Sequence, residues 1–244
     1  MELVEALEAD SGVISVVGAG GKKSTMYRLA SSIDRAVVTA TVRIPPFEDH
    51  VSTLAVTGDP VGAVETARDD DWPLGLVPDG DEDDRYLGYE PAVIDELAGV
   101  HEIDTVLVKA DGARMRKFKA PNDREPQIPT STSVVVPVLS AHVIGEVLSD
   151  ELVHRVDRVA TITGLSRGQI MHPEAIAEVI ASPNGGHKGV PEGATVIPVI
   201  NMVDDGALKR RAQLVADQIL NRSDCQRVIL TELTASDPVI DVVS

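Results

Sequence analysis

Five short runs, residues 13–17, 36–42, 105–108, 133–138 and 195–200, are rich in β-branched residues and nearly free of charge. Runs of that kind suit strands buried on both faces, as in a parallel sheet. Between them, residues 24–32, 91–98, 173–181 and 207–220 carry apolar side chains at helical spacing. Two of these stretches open with proline, which fits a helix's first turn. The alternation predicts an α/β chain with a mainly parallel sheet and helices on both faces. Residues 227–230 offer one further strand, and no internal repeat is present. Residues 69–84, 111–129 and 182–193 mix glycine, proline and charge without periodicity and read as loops. A length of 244 residues allows a full core, and one domain over 1–244 is the simpler reading.

Acidic residues outnumber basic ones 39 to 22, for a net charge of −17. That balance argues against a nucleic-acid backbone or an anionic membrane as partner. Aspartate exceeds glutamate 23 to 16, and arginine exceeds lysine 15 to 7. We read this as adaptation to high salt, where carboxylates hold water and screening tolerates their repulsion, so a halophilic microorganism is the expected source. An ordinary acidic chain with solvated loops is the alternative. Cys225 is the single cysteine, which excludes an intrachain disulfide and a cysteine-rich metal site. With neither a signal-peptide pattern nor an apolar run of about 18 residues, a cytoplasmic protein is expected.

The segment GAGGKKST, residues 18–25, joins the first apolar run to the first helical pattern. A glycine-rich turn between a strand and a helix start gathers backbone N–H groups around one point with lysine charge beside them, as nucleotide phosphates require. This is a P-loop reading, and it makes the fold P-loop NTPase-like, with three layers. The usual spacing GxxxxGK followed by Ser or Thr is not matched. The shorter GxxGK form of Mur-type ligases fits Gly18, Ala19, Gly20, Gly21 and Lys22. In that register Lys23 stands where a metal-binding hydroxyl is expected, so Ser24 becomes the Mg²⁺ ligand, or Lys23 contributes charge in its place. In the alternative register Lys23 is the phosphate lysine, followed by Ser24 and Thr25. Lys22 as phosphate lysine with Ser24 on the metal is preferred. The bland alternative is a tight turn with solvent-facing lysines.

The strand at 105–108 leads into Lys109, Ala110, Asp111 and Gly112, so a carboxylate lies just past a buried strand's carboxyl end. Ligands of open α/β sheets bind there, and an aspartate can hold Mg²⁺ directly or through water. Asp111 is therefore the candidate metal and catalytic residue beside Lys22, with a turn-capping aspartate as the competing role. Residues 114–124 hold five basic side chains, a candidate patch for phosphate or an anionic substrate, or a partner for the acidic surface. The run at 195–200 ends in Asn201, Met202, Val203 and Asp204, similar to the NKxD element that reads guanine. Asn201 and Asp204 are thus candidate base-binding residues, with a strand-ending turn as the alternative.

Taken in order, GAGGKKST, TATVRIPP at 39–46, VLVKADGARMRKFKAP at 106–121, EPQIP at 125–129, VHR at 153–155, KGVPEGA at 188–194 and VINMVD at 199–204 resemble the YqeC family. That family is described as P-loop proteins of selenium cofactor biosynthesis, accessory to selenium-dependent molybdenum hydroxylases. The resemblance implies a nucleotide-dependent maturation factor with a molybdenum hydroxylase or a selenium-handling protein as partner. This chain departs from the family's GAGGKT and EADG at Lys23 and Lys109, both of which add positive charge.

Three functions are therefore expected of such a chain. The first is an Mg²⁺-dependent NTPase or kinase-like factor using ATP or GTP, with Lys22 on the phosphates and Ser24 and Asp111 on the metal. The second is a nucleotide-gated chaperone or binding module with little turnover, motivated by Lys23 and Lys109. The third is a Mur-type ligase, for whose additional domains the chain is short.

Overall fold

A ten-stranded sheet forms the centre of the computed structural model, which describes residues 1–81 and 83–244. The strands are β1 (Gly12–Gly18), β2 (Ala36–Ala40), β3 (Thr53–Val56), β4 (Leu74–Val77), β5 (Gly80–Asp81), β6 (Arg85–Tyr86), β7 (Thr105–Lys109), β8 (Phe118–Lys119), β9 (Thr132–Ser140), β10 (Val153–His154), β11 (Thr195–Val196), β12 (Val199–Asn201), β13 (Val228–Thr231) and β14 (Val239–Val243). The helices are α1 (Leu3–Ala6), α2 (Lys22–Ala30), α3 (Pro60–Glu65), α4 (Pro91–Leu97), α5 (Val156–Thr163), α6 (Pro173–Ala181) and α7 (Gly206–Leu220). The sheet runs β14-β13-β12-β9-β1-β7-β2-β4-β3, with β11 beside β9, and two-stranded pairs β10-β8 and β5-β6 lie apart from it. Its strands pair in parallel except β14, which is antiparallel to β13.

The central strands are covered on both faces because their alternate side chains enter different clusters. Ile14 and Val16 of β1 and Leu107 of β7 pack with Met26 and Leu29 of α2 and with Leu3 and Leu7. Val13, Val106 and Val108 point the other way, toward Ile94 and Leu97 of α4 and Val64 of α3. Further along that second face, Leu139, Ile200 and Leu230 meet α5, α6 and α7. The period of two in the strands thus becomes a three-layer α/β fold. Among the described residues, no helix is long and apolar enough to cross a membrane.

The strand order places the ligand crevice. From β1 the sheet continues through β7 and β2 on one side and through β9 and β12 on the other. The chain leaves β1 toward β2 and leaves the adjacent β9 toward β12, in opposite directions, and open α/β sheets bind ligands at such switch points, beyond the carboxyl ends of the strands. The parallel register sets Lys109 opposite Val16 of β1 and Ala40 of β2, so the glycine loop and the 109–112 turn emerge side by side.

The structure departs from the sequence reading in places with local causes. The predicted loop at 69–84 contains a 3₁₀ turn at Asp69–Asp71 and the buried strand β4. Four residues between Pro73 and an acidic stretch are too short a run to stand out. Glu82, in the same predicted loop, lies outside the described residues. The predicted loop at 111–129 includes β8, and the single run at 195–200 splits into β11 and β12 around Pro198, which has no N–H to continue a ladder. β3, β14 and α5 carried no recognised pattern.

Leu107 is fully buried at the sheet's centre, so Leu107→Ala removes packing from a site with rigid neighbours on both sides. Destabilisation of about 2–5 kcal/mol is expected, read as a fall in the urea midpoint at unchanged slope.

Candidate functional site

The loop after β1 has a shape that side chains would obstruct. Gly18, Gly20 and Gly21 have φ of +90°, +90° and +151°. A Cβ on Gly18 would collide with the Val138 carbonyl, and one on Gly20 would lie 2.6 Å from the Ser140 amide nitrogen. The loop is therefore glycine-rich both for its left-handed backbone and for its closeness to β9. Helix α2 starts at Lys22 with no side-chain cap at Gly21, so the N–H groups of its first turn have no acceptor within the helix. Its buried stripe is Lys22, Thr25, Met26, Leu29 and Ala30, the i, i+3, i+4, i+7, i+8 pattern, and this spacing turns Lys22 inward.

Asp111 is the hub of the site. Its carboxylate is buried, accepts the Gly18 N–H at 2.8 Å through Oδ2, and lies 2.9 Å from the Lys119 ammonium. Lys22 Nζ stands 2.8 Å from Oδ1 as a charge contact while donating to the Gly18 carbonyl. Oδ1 is left buried without a directed hydrogen bond. Lys119 also bonds Glu125 Oε2 at 2.8 Å and the Gly112 carbonyl at 2.6 Å, and Arg155 donates to the same Glu125 oxygen at 2.7 Å. Three cations thus surround two carboxylates. Burial alone would push the Asp111 carboxyl up, but the charges of Lys22 and Lys119 outweigh it and hold it below the ordinary range. Burial likewise works against Glu125, which Arg155 and Lys119 keep ionised. Lys109, buried beside this group, has no carboxylate of its own among the described residues and donates to the Arg43 carbonyl at 2.7 Å. Burial, reinforced by the Lys22 charge, brings its ammonium down to about 7.

The other sequence candidates divide. Ala19 is buried in the loop. Lys23 is partly exposed and Ser24 exposed, because two positions along a helix turn a side chain about 200° away from Lys22. Thr25 holds the buried hydroxyl, which donates to the Gly21 carbonyl at 3.1 Å. Ser24 and Asp111 are therefore not brought together by a contact, and Asp111 Oδ1 is faced only by the Lys22 ammonium, without a directed hydrogen bond. One carboxylate fits an Mg²⁺ ion whose other ligands are water and phosphate oxygens.

Asn201 is buried behind the loop. Its Nδ2 donates to the Gly20 carbonyl at 3.0 Å, and its Oδ1 accepts from Thr231 at 3.1 Å and from the Leu233 amide at 3.3 Å. Asp204 lies 2.7 Å from His142 Nε2, and Lys117 meets the other ring nitrogen at 3.1 Å. The basic segment at 114–124 splits in direction: Lys119 turns inward, whereas Arg114 and Arg124 are exposed. Sequence reasoning places Lys119 only within the basic patch at 114–124 and gives Glu125 and Arg155 no individual role. The signal available for Lys119 was its place in FKAP, flanked by apolar residues on the β8 strand, where the side chain is enclosed.

Distant motifs converge on this end of the sheet. Thr41 donates to the Gln127 carbonyl at 2.6 Å, and Gln127 N–H bonds the Ala110 carbonyl at 2.9 Å. The YqeC protein family matches residues 14–157, more than half of the chain. The Uncharacterized protein YqeC of Escherichia coli (strain K12) is 32% identical over 193 residues, covering 78% of this chain and 75% of that protein. The chain belongs to the YqeC family.

Removing the hub leaves two buried ammonium groups facing each other, so Asp111→Ala should lose about 3–5 kcal/mol in urea unfolding. Lys109 gives a pH dependence of opposite origin. Its folded value of about 7 lies below the ordinary 10.5, so between these the unfolded chain binds more protons. Stability should therefore rise from pH 7 toward pH 10 through this group, and a urea-midpoint series should show that rise flattened in Lys109→Met.

Proposed function

We propose that this YqeC-family protein binds the phosphates of a nucleoside triphosphate at the Gly18–Gly21 turn and the first turn of α2. The observation that carries the reading is the Lys22 ammonium, buried at a glycine-shaped strand-to-helix turn, in a cluster with more cations than carboxylates. Phosphate oxygens complement both the open N–H groups and the surplus charge. In this reading Lys22 is the phosphate lysine and Lys23 lies outside the cluster. Mg²⁺ accompanying ATP or GTP would be held through Asp111 and would supply charge neutralisation at the phosphate oxygens. Asn201 acts on the nucleotide indirectly, by fixing Gly20. Asp204 reaches a guanine base only by exchanging its His142 partner.

Binding with little turnover is the form favoured by two positions. Lys109 supplies no carboxylate to activate water, and the residue after Lys22 supplies no hydroxyl. A nucleotide-gated accessory factor fits this better than a fast NTPase or kinase. The family resemblance extends the proposal to maturation of selenium-dependent molybdenum hydroxylases, with such an enzyme or a selenium-handling protein as the partner.

Titration of Mg²⁺-ATP and Mg²⁺-GTP into folded wild type, Lys22→Ala and Lys23→Ala tests the assignment. Lys22→Ala should weaken binding about tenfold or more, roughly 1.4 kcal/mol, while Lys23→Ala should change it by less than about threefold. Unchanged affinity in Lys22→Ala would refute it, and rapid phosphate release by the isolated protein would refute the low-turnover form.

A further inference from the structure

A second space lies on the other side of the segment that carries Lys119 and Glu125. It is a cavity of about 650 Å³ between that segment, α5, and the end of α6 with its following turn. Sites for small organic ligands fall in this size range. Arg158, Lys188 and Arg222 line it, against the carboxylates of Asp123 and Glu178. In a chain of net charge −17, this is a local surplus of positive charge. Pro121, Ile162 and Ala181 add apolar wall.

The cations of the cavity are weakly committed. Arg158 is paired at 2.9 Å with Asp123, a mostly exposed carboxylate, and such pairs contribute little. Lys188 donates to the Asn122 carbonyl, and Arg222, just past the end of α7, donates to Gln218 of that helix. Neither has a carboxylate within ion-pair distance among the described residues. Two arginines and a lysine around one hollow form an arrangement that can grip a phosphate ester or carboxylate, with Pro121, Ile162 and Ala181 as apolar contact for its organic part.

A separate gap of about 20 Å³, enough for about one water, is lined by Gly18, Asp111 and Lys119 together with Pro121, Ile180 and Gly186. Pro121 borders both spaces. The segment that follows it is held by Arg155 on Glu125 and by Arg158 on Asp123.

We propose that this cavity is a binding site for a small organic anion, distinct from the phosphate loop, whose anionic group is held by Arg158, Lys188 and Arg222. Asp123 is the internal competitor that occupies Arg158 in the absence of ligand. The inference stands whether or not the glycine loop binds nucleotide.

Phenyl phosphate, which joins a charged group to an apolar ring, is the probe, titrated to about 10 mM with binding followed by calorimetry and by NMR shifts. Wild type should bind it more tightly than inorganic phosphate. Arg158→Ala with Arg222→Ala should weaken binding about tenfold or more at an unchanged circular-dichroism spectrum, and the Lys pair at the same positions should recover part of the loss. Asp123→Asn, an exposed change with little bearing on folding, should tighten binding about threefold. Lys22→Ala should leave it unchanged. No binding, equal affinity for inorganic phosphate, insensitivity to the arginine pair and to Asp123→Asn, or loss in Lys22→Ala alone would each overturn the proposal, the last by placing the probe at the glycine loop.

Discussion

The Asp111 carboxylate holds the carboxyl end of the sheet together. It accepts the Gly18 N–H, contacts the Lys22 and Lys119 ammonium groups, and so ties β1, α2, β7 and β8 through one buried side chain. Such an ion cluster is costly to desolvate, and it persists only because each charge faces an opposite one or a backbone dipole. The glycines follow from the same constraint: only without a Cβ at positions 18 and 20 does the loop pass close enough to β9 to aim Gly18 N–H at Asp111. Lys119 then extends the network to Glu125 and Arg155, which brings a loop and the start of α5 into the same group.

The surplus of cations over carboxylates is what suits this cluster to the proposed anion site. A self-contained ion network would balance its charges, whereas this one leaves Lys22 sharing Asp111 with Lys119 and directed at a carbonyl of its own loop. A polyanion arriving at the turn therefore meets a lysine whose present partners are weakly directed, and the exchange of one oxygen partner for another involves little extra desolvation. In the proposed reading Lys109 brings positive charge to this field and offers no carboxylate to assist water. Both consequences favour holding a phosphate over cleaving it.

The architecture was largely legible in the sequence because parallel strands announce themselves as uncharged β-branched runs and helices as periodic ones. What escaped was short or interrupted: β4 is four residues behind a proline, and Pro198 divides one run into two strands with different neighbours. In the site, the positions of the glycine turn and Asp111 were readable from strand ends, whereas the loop spacing left two lysine registers, and the helical stripe that buries Lys22 leaves Lys23 partly exposed and Ser24 exposed. Lys119, Glu125 and Arg155 could not be joined by spacing, since 6 residues separate the first pair and 30 the second. Their meeting is a product of tertiary folding around Asp111. Asn201 kept its strand-end position, but its bonds point at the loop backbone.

The segment that carries Lys119 and Glu125 gives these contacts a joint consequence. Glu125 and Asp123 are two residues apart on one segment, each gripped by an arginine of the α5 start, and they face different spaces. Any anion that draws Arg158 from Asp123 loosens one anchor of the segment that positions Lys119. Any anion that draws Lys22 from Asp111 changes the balance of charge on Lys119 from the other side. The residues that anchor Asp111 and those that border the cavity therefore sit on one short stretch of chain, each set held by its own charge pair.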